Sequence, residues 1–291
     1  MRGLLAGLGV ALVALGCADP PPAAPPVANA APAPARSVRT VRVTAVAGRA
    51  ERQSGAGAAL PLKVGDQLAA DDLVRTEEGS ATLDVGGRAD VTIAGHTQVA
   101  IGELTEKLSR VKLRDGRISA VVHAADAKLQ VEAVGTSAVA SADRGEFSML
   151  STGSQVSVAT RSGQVTLSAH GQSVTIGAGQ LSVVQRDLPP SAPAAIPPSL
   201  FLKVSAPRAL AQRQKQTTLH GNTIPGAVIS VNGLRVTADP TGEFTATVAL
   251  KEGANDLTVE SEDVLGRRER AAVPRITVDS RAPAATSKVE W

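Results

Sequence analysis

Four histidines, His96, His123, His170 and His220, are the side chains best suited to proton transfer or metal ligation near neutral pH, and they stand singly along the chain. A metal site wants clustered ligands, such as two histidines one helical turn apart beside an acid, and none of the four has such a neighbour in sequence. Asp71-Asp72 and Glu77-Glu78 are adjacent acids. In an extended chain adjacent residues point to opposite faces, so these read as turn charges rather than catalytic carboxylate pairs. Glu260-Ser261-Glu262-Asp263 lacks the spaced Asp and Gly of a calcium hand. No Gly-x-Ser-x-Gly turn, phosphate-binding loop or dinucleotide fingerprint falls in a suitable context. The expectation is a chain with no catalytic residues, no metal and no cofactor, and with a binding site that the sequence leaves unknown.

One residue has chemistry by position. Cys17 is the only cysteine, so no disulfide can form within the chain. It follows Met1-Arg2 and the apolar run Gly3 to Gly16. That run falls short of the roughly 20 residues needed to cross a bilayer and fits the apolar part of a signal peptide. Ala14-Leu15-Gly16-Cys17 resembles a bacterial lipoprotein signal, with Ala14 and Leu15 in swapped places. The resemblance implies that residues 1–16 are a signal peptide, that Cys17 becomes the first mature residue and carries acyl chains, and that Ala18 after it directs the protein to the outer membrane. The alternative is plain secretion, with cleavage after Ala28-Asn29-Ala30. Residues 17–37 are rich in Pro and Ala. Proline at this density favours extended polyproline II, so the segment reads as a tether.

The elements that would position any site are strands. From Leu62 to Gly135 apolar residues fall on alternate positions, as in Ala81-Thr82-Leu83-Asp84-Val85, Val91-Thr92-Ile93 and Val111-Lys112-Leu113, and Gly or Asp-Gly turns separate the runs. The same pattern continues to about Gln185, with Glu103 to Leu108 as the single weak helical candidate. Hydrophobic residues make up 43% of the chain and aromatics 1%, so cores must be built from Val, Leu, Ile and Ala. Phe147, Phe201, Phe244 and Trp291 are too few to stack bases, and a formal charge of +3 with no long basic run argues against a nucleic-acid partner. Arg267-Arg268-Glu269-Arg270, the densest cluster, reads as a solvated loop or strand edge. Pro189 to Pro198 forms a second proline-rich break and hence a domain boundary.

Within residues 38–187 the order of motifs resembles the FecR-domain family. Val64-Gly65-Asp66-Gln67-Leu68, Asp72-Leu73-Val74-Arg75-Thr76, Ile93-Ala94-Gly95-His96-Thr97 and Leu113-Arg114-Asp115-Gly116-Arg117-Ile118 carry it, with Val134-Gly135-Thr136 and Gly163-Gln164-Val165 further on. The strand after Gly135-Thr136 departs from the family pattern, and Phe147 arrives late. The resemblance implies an elongated all-β, solenoid- or sandwich-like domain. The family's iron-uptake regulators also carry a cytoplasmic anti-sigma segment and a transmembrane helix; neither is evident here, so their signalling role is not expected to transfer.

After a linker at 188–200, residues 201–279 resemble a bacterial immunoglobulin-like domain of the glucodextranase accessory type. Pro225-Gly226-Ala227, Val231-Asn232-Gly233, Gly242-Glu243-Phe244, Gly253-Ala254-Asn255 and Asp263-Val264-Leu265-Gly266 recur in the family's order, with Arg267 where Asn is usual. The resemblance implies a smaller β-sandwich that spaces or binds. Asn232-Gly233 should be a tight hairpin turn, Phe244 should anchor the core, and 280–291 should be a tail.

Together these readings describe a non-catalytic envelope lipoprotein, held to the membrane by its N-terminal lipid in the periplasm with the outer membrane favoured. It binds or scaffolds a protein or glycan partner. A signal-relay component is the alternative, and a cryptic glycan-active enzyme a more remote one. Wild-type protein should incorporate labelled fatty acid and partition with membranes, whereas Cys17→Ser should do neither. A mature wild-type protein beginning at Ala31 would show plain secretion instead.

Overall fold

A computed structural model describes residues 40–105, 107–123, 128–205 and 211–280. All the described residues belong to one compact unit. Cys17, the signal, the tether and residues 281–291 lie outside the described residues.

Every regular element among the described residues is a strand. In chain order they are β1 (Val41–Ser54), β2 (Leu60–Pro61), β3 (Gln67–Leu68), β4 (Asp72–Val85), β5 (Ala89–Ile93), β6 (Gln98–Leu104), β7 (Leu108–Val122) and β8 (Lys128–Ala133). Then come β9 (Val139–Ala142), β10 (Gly145–Ser151), β11 (Gln155–Ala169), β12 (Gln172–Gly177), β13 (Gln180–Gln185) and β14 (Ala194–Ala195). The last eight are β15 (Leu202–Val204), β16 (Ala211–Gln212), β17 (Gln216–Thr223), β18 (Val228–Val231), β19 (Leu234–Thr237), β20 (Glu243–Ala249), β21 (Gly253–Glu262) and β22 (Arg268–Val278). Glu103 to Leu108, expected as a weak helix, instead spans the end of β6 and the start of β7. Pairing of Leu104 with Ser109 across that turn overrides the local helical period.

The first fourteen strands form one continuous hydrogen-bonded network folded into two layers. Four long strands make the fold, because each changes partners partway along. The second half of β4 pairs with β5 and its first half with β6. The second half of β7 pairs with β5 and β10, and its first half with β6 and, in parallel, β8. β11 pairs with β10 and β13 before its midpoint and with β9 and β12 after it. β1 follows β4 along both layers.

Such strands must turn sharply, and glycine permits it. Gly79 of β4 lies opposite Gly48 of β1, with φ of +119° and +74°. A Cβ on Gly79 would collide with the Ala47 carbonyl oxygen. Gly116 turns β7 at φ +95°, where a Cβ would strike Thr97. Two buried threonines tie these corners together. Thr76 N–H donates to the Thr97 carbonyl at 3.0 Å, Thr97 N–H donates to Thr76 Oγ1 at 3.1 Å, and Arg117 N–H donates to Thr97 Oγ1 at 3.0 Å. Between the layers the alternating side chains form one aliphatic core, including Leu83, Val91, Ile93, Leu113 and Ile118 with Phe147 and Met149 of β10. Burying each such side chain fully is worth about 1.5–3 kcal/mol.

The remaining strands form a second sandwich. Three strands in the order β15-β17-β20 face five in the order β16-β22-β21-β18-β19. Phe244 packs in its core as the sequence implies, and Gly221 opposite it has no room for a Cβ against the phenyl ring. Asn232 and Gly233 both have positive φ, +48° and +89°, as a tight two-residue hairpin requires.

Gly79→Ala should destabilise the chain by roughly 3 kcal/mol or more, because positive φ and a backbone collision add. Gly87→Ala, at φ +70° with open space around it, should cost only about 1 kcal/mol. Denaturant unfolding of the two variants side by side checks this, and equal losses would refute the corner argument.

Candidate functional site

The two sandwiches are joined by a third apolar cluster. Leu150, Ala159, Leu181 and Val183 of the first meet Ile224, Val228 and Val264 of the second, with Ile196, Leu200 and Phe201 packed alongside. Polar contacts cross the same seam. Ser157 Oγ donates to the Gly226 carbonyl at 3.1 Å, and Gln155 Nε2 to the Ala238 carbonyl at 2.7 Å. The proline-rich stretch is packed as well: Ala194 and Ala195 pair with Leu181 and Gln180, and Ser182 Oγ donates to the Ser191 carbonyl at 2.8 Å.

Arg267 and Asp263 fasten that stretch to the second sandwich. The Asp263 side chain is 2% exposed and sits 2.7 Å from Arg267 Nε. Its other oxygen accepts the backbone N–H groups of Leu265 and Arg267 at 3.0 and 2.8 Å. Arg267 Nη1 then donates to the carbonyls of Pro197 and Pro198 at 2.9 and 3.0 Å. The expectation of a solvated cluster therefore fails for Arg267, because a buried carboxylate and two linker carbonyls hold it. Arg268 and Arg270 are exposed on β22, as expected.

Beside the seam lies a cleft of about 740 Å³, and it is the candidate functional site. One wall is the row of corners in the first sandwich, with Glu78, Gly79, Gly95, His96, Gly116 and Arg117. The other is the outer face of the five-stranded sheet. There Arg235, Ser230, Glu260 and Arg270 stand opposite one another across β19, β18, β21 and β22. Two residues along, Thr237, Val228, Glu262 and Arg268 form a second row on the same face. Glu260 pairs with Arg270 at 2.8 Å and Glu262 with Arg268 at 2.9 Å. Arg117 Nε, buried and without a hydrogen bond, reaches Glu262 across the cleft at 3.5 Å. Arg235 has no ion pair among the described residues. The arrangement offers a surface of alternating charge with one cation left over, suited to polar recognition.

Sequence reasoning passed over Arg117, Arg235 and this cleft. The period-two spacing of Glu260 with Glu262 and of Arg268 with Arg270 is the signal that could have placed the charges on one face. Of the histidines, only His96 lines the cleft, at the exposed tip of a corner with φ +54°. His123 bonds Asp90 at 3.0 Å, His220 bonds Thr245 at 3.1 Å, and His170 sits in a turn at φ +49° with its backbone N–H donating to Ser137 Oγ at 3.1 Å. The acid pairs are divided as expected. Asp72 accepts the Ala69 N–H at 2.9 Å, and Glu77 pairs with Arg49 while Glu78 faces the cleft. Among the described residues no three His, Cys, Asp or Glu side chains gather as metal ligands.

Next to the seam, Asp239 caps the turn that follows β19. Burial pushes its carboxyl up. Hydrogen bonds from the Thr241 hydroxyl and from the N–H groups of Glu243, Thr241 and Gly242 outweigh that and hold it below the usual carboxylate range. Its support of the turn is therefore complete above that range and is lost as pH falls. Far from the cleft, the Arg275 hydrogen bond lowers Asp256 in the same way.

No protein-family model and no curated protein matches the chain. Two crystal structures of a candidate anti-sigma factor from Parabacteroides distasonis are similar at 15% identity and a TM-score of 0.37, covering 42% of this chain and 59% of theirs. The chain thus spans less than two thirds of their length. A polysaccharide lyase is similar at 7% identity and a TM-score of 0.21, over 83% of this chain and 40% of that one. Similarities at this level carry no inference about activity.

Asp263→Ala would leave Arg267 without its carboxylate. It should cost about 3 kcal/mol, the scale of breaking a buried pair. Proteolysis within 188–200 should quicken as the Arg267 contacts to Pro197 and Pro198 loosen, and unchanged cleavage there would contradict the fastening role.

Proposed function

We propose that this chain is a non-catalytic envelope lipoprotein that binds or scaffolds a protein or glycan partner. In this reading a FecR-like module and an immunoglobulin-like module act as a single body at the end of a lipid-anchored tether. The observation that carries it is the cleft itself. Its two walls come from different sandwiches, and the apolar seam beside it keeps them in register before any partner arrives. A preformed site loses less entropy on binding than one assembled by hinge closure. The charges in the cleft support recognition rather than turnover, since Glu260 and Glu262 are each engaged by arginine. The order of FecR-type motifs and the solitary Cys17 behind an apolar leader support the envelope address.

Ser230 lies on the cleft face of β18 and is the place to test this. Full-length protein immobilised in detergent should enrich a specific envelope protein or peptidoglycan fragment. Ser230→Trp, which fills the cleft from its strand face, should lose that enrichment while keeping the wild-type Tm. Equal capture by both forms would remove the cleft from the function.

A further inference from the structure

A second, smaller cavity of about 200 Å³ continues the cleft along the free edge of β19. Arg235, Val236 and Thr237 line one side, and Asp115, Thr152 and Ser154 of the first sandwich line the other. β19 is the last strand of its sheet and pairs only with β18. The direction of its backbone groups follows from the hairpin. A two-residue turn at Asn232-Gly233 makes Val231 and Leu234 a hydrogen-bonded pair, and such pairs alternate along an antiparallel ladder. Ile229 and Val236 are then the next such pair and Ala227 and Ala238 the one after, consistent with Ala238 N–H donating to the Ala227 carbonyl at 2.9 Å. Arg235 and Thr237 fall between them, so their N–H and C=O groups point away from β18 toward the free edge.

The side chains around this edge favour one kind of occupant. Arg117, Arg268 and Arg270 each face a glutamate, whereas Arg235 has no hydrogen bond or ion pair among the described residues. Asp115 lines the opposite side of the cavity but makes no ion pair with it. Leu234, 39% exposed, adds an apolar contact where the strand begins. β20 also has a free edge, and it is longer, but no second wall faces it in either cavity. Of these two edges, that of β19 would cover an added strand from both sides.

We propose that an extended peptide segment of a partner protein adds to β19 as a sixth strand. Its backbone would bond to the outward N–H and C=O groups of Arg235 and Thr237, and a carboxylate side chain would sit on the Arg235 guanidinium. This rests on the reading of the cleft as a binding site and names its occupant. Strand addition takes affinity from main-chain hydrogen bonds and selectivity from side-chain pockets, and the unpaired arginine supplies the selectivity here.

The probe is a blocked pentapeptide of alternating threonine and valine with glutamate at its centre, beside a glutamine counterpart, tested on the full chain by fluorescence anisotropy and hydrogen exchange. The glutamate peptide should bind at least tenfold more tightly than the glutamine one, and it should slow exchange of the Arg235 and Thr237 amides but not those of β20. Arg235→Ala should abolish the preference between the peptides. Thr237→Pro removes only an outward N–H, so it should keep the hairpin and the Tm yet weaken binding at least tenfold. If Thr237→Pro proves unfolded, wild-type exchange and Arg235→Ala decide the matter. No binding at millimolar peptide, protection on β20 instead, or equal binding by wild type and folded Thr237→Pro would overturn strand addition. If Ser230→Trp abolishes envelope capture while Thr237→Pro and Arg235→Ala leave it intact, the cleft reading stands and the peptide reading falls. A glycan recovered in place of a protein overturns it equally.

Discussion

The arrangement of the two β-sandwiches depends on a buried seam between them. The seam is small, and its apolar cluster is crossed by buried hydrogen bonds. Gly226 lies so close to Ser157 that any side chain there would collide with the serine hydroxyl, and its positive φ of +72° excludes most other residues as well. Its carbonyl accepts from Ser157, and the carbonyl of Ala238, which accepts the Gly226 N–H across the hairpin at 3.2 Å, also accepts from Gln155. Buried polar groups at such a junction are costly unless each is satisfied. These are satisfied by the opposite sandwich, so separating the two would expose the apolar cluster and break the hydrogen bonds together.

The cleft is a consequence of how the first sandwich turns its strands. β4 and β7 each pass from one layer to the other, and their corners stack along one side of the molecule with the Gly95-His96 turn between them. That row is tied together locally. Thr76 and Thr97 replace ladder bonds lost at a corner with side-chain bonds to backbone groups. The outer face of the five-stranded sheet sits opposite this row, and Arg117 reaches across to Glu262. On the proposed reading, two edges with this charge pattern would select a partner by shape and charge.

The motifs that resemble known families have structural explanations here. Thr76, Gly95, Thr97 and Gly116 belong to runs that look FecR-like, and all four are corner residues. Pro225-Gly226-Ala227 supplies the close approach at the seam. Arg267 stands where the immunoglobulin-like pattern has Asn, and from there it holds two linker carbonyls while its partner Asp263 is buried. In this chain motif residues hold the architecture and also line one wall of the cleft, with Gly95, His96, Gly116 and Arg117, whereas Arg235 and Ser230 on the other wall lie between motifs.

The sequence alone determined the strand class, the hairpin at Asn232-Gly233 and the core role of Phe244, because alternation, turn chemistry and aromatic burial act over a few residues. It also separated the acid pairs, since adjacent side chains on an extended backbone cannot share a face. It misread Glu103 to Leu108 as weakly helical and Arg267 as solvated, since in both cases a partner distant in sequence decided the outcome. Only the tertiary structure could create the cleft. Arg117 and Glu262 are far apart along the chain, and the partner switch that bends β4 and β7 is invisible to a period-two pattern that reads the same on both sides of a corner. That Arg235 is the cleft arginine without an ion pair among the described residues was likewise a tertiary matter, because an arginine is engaged according to which carboxylates the fold brings within reach.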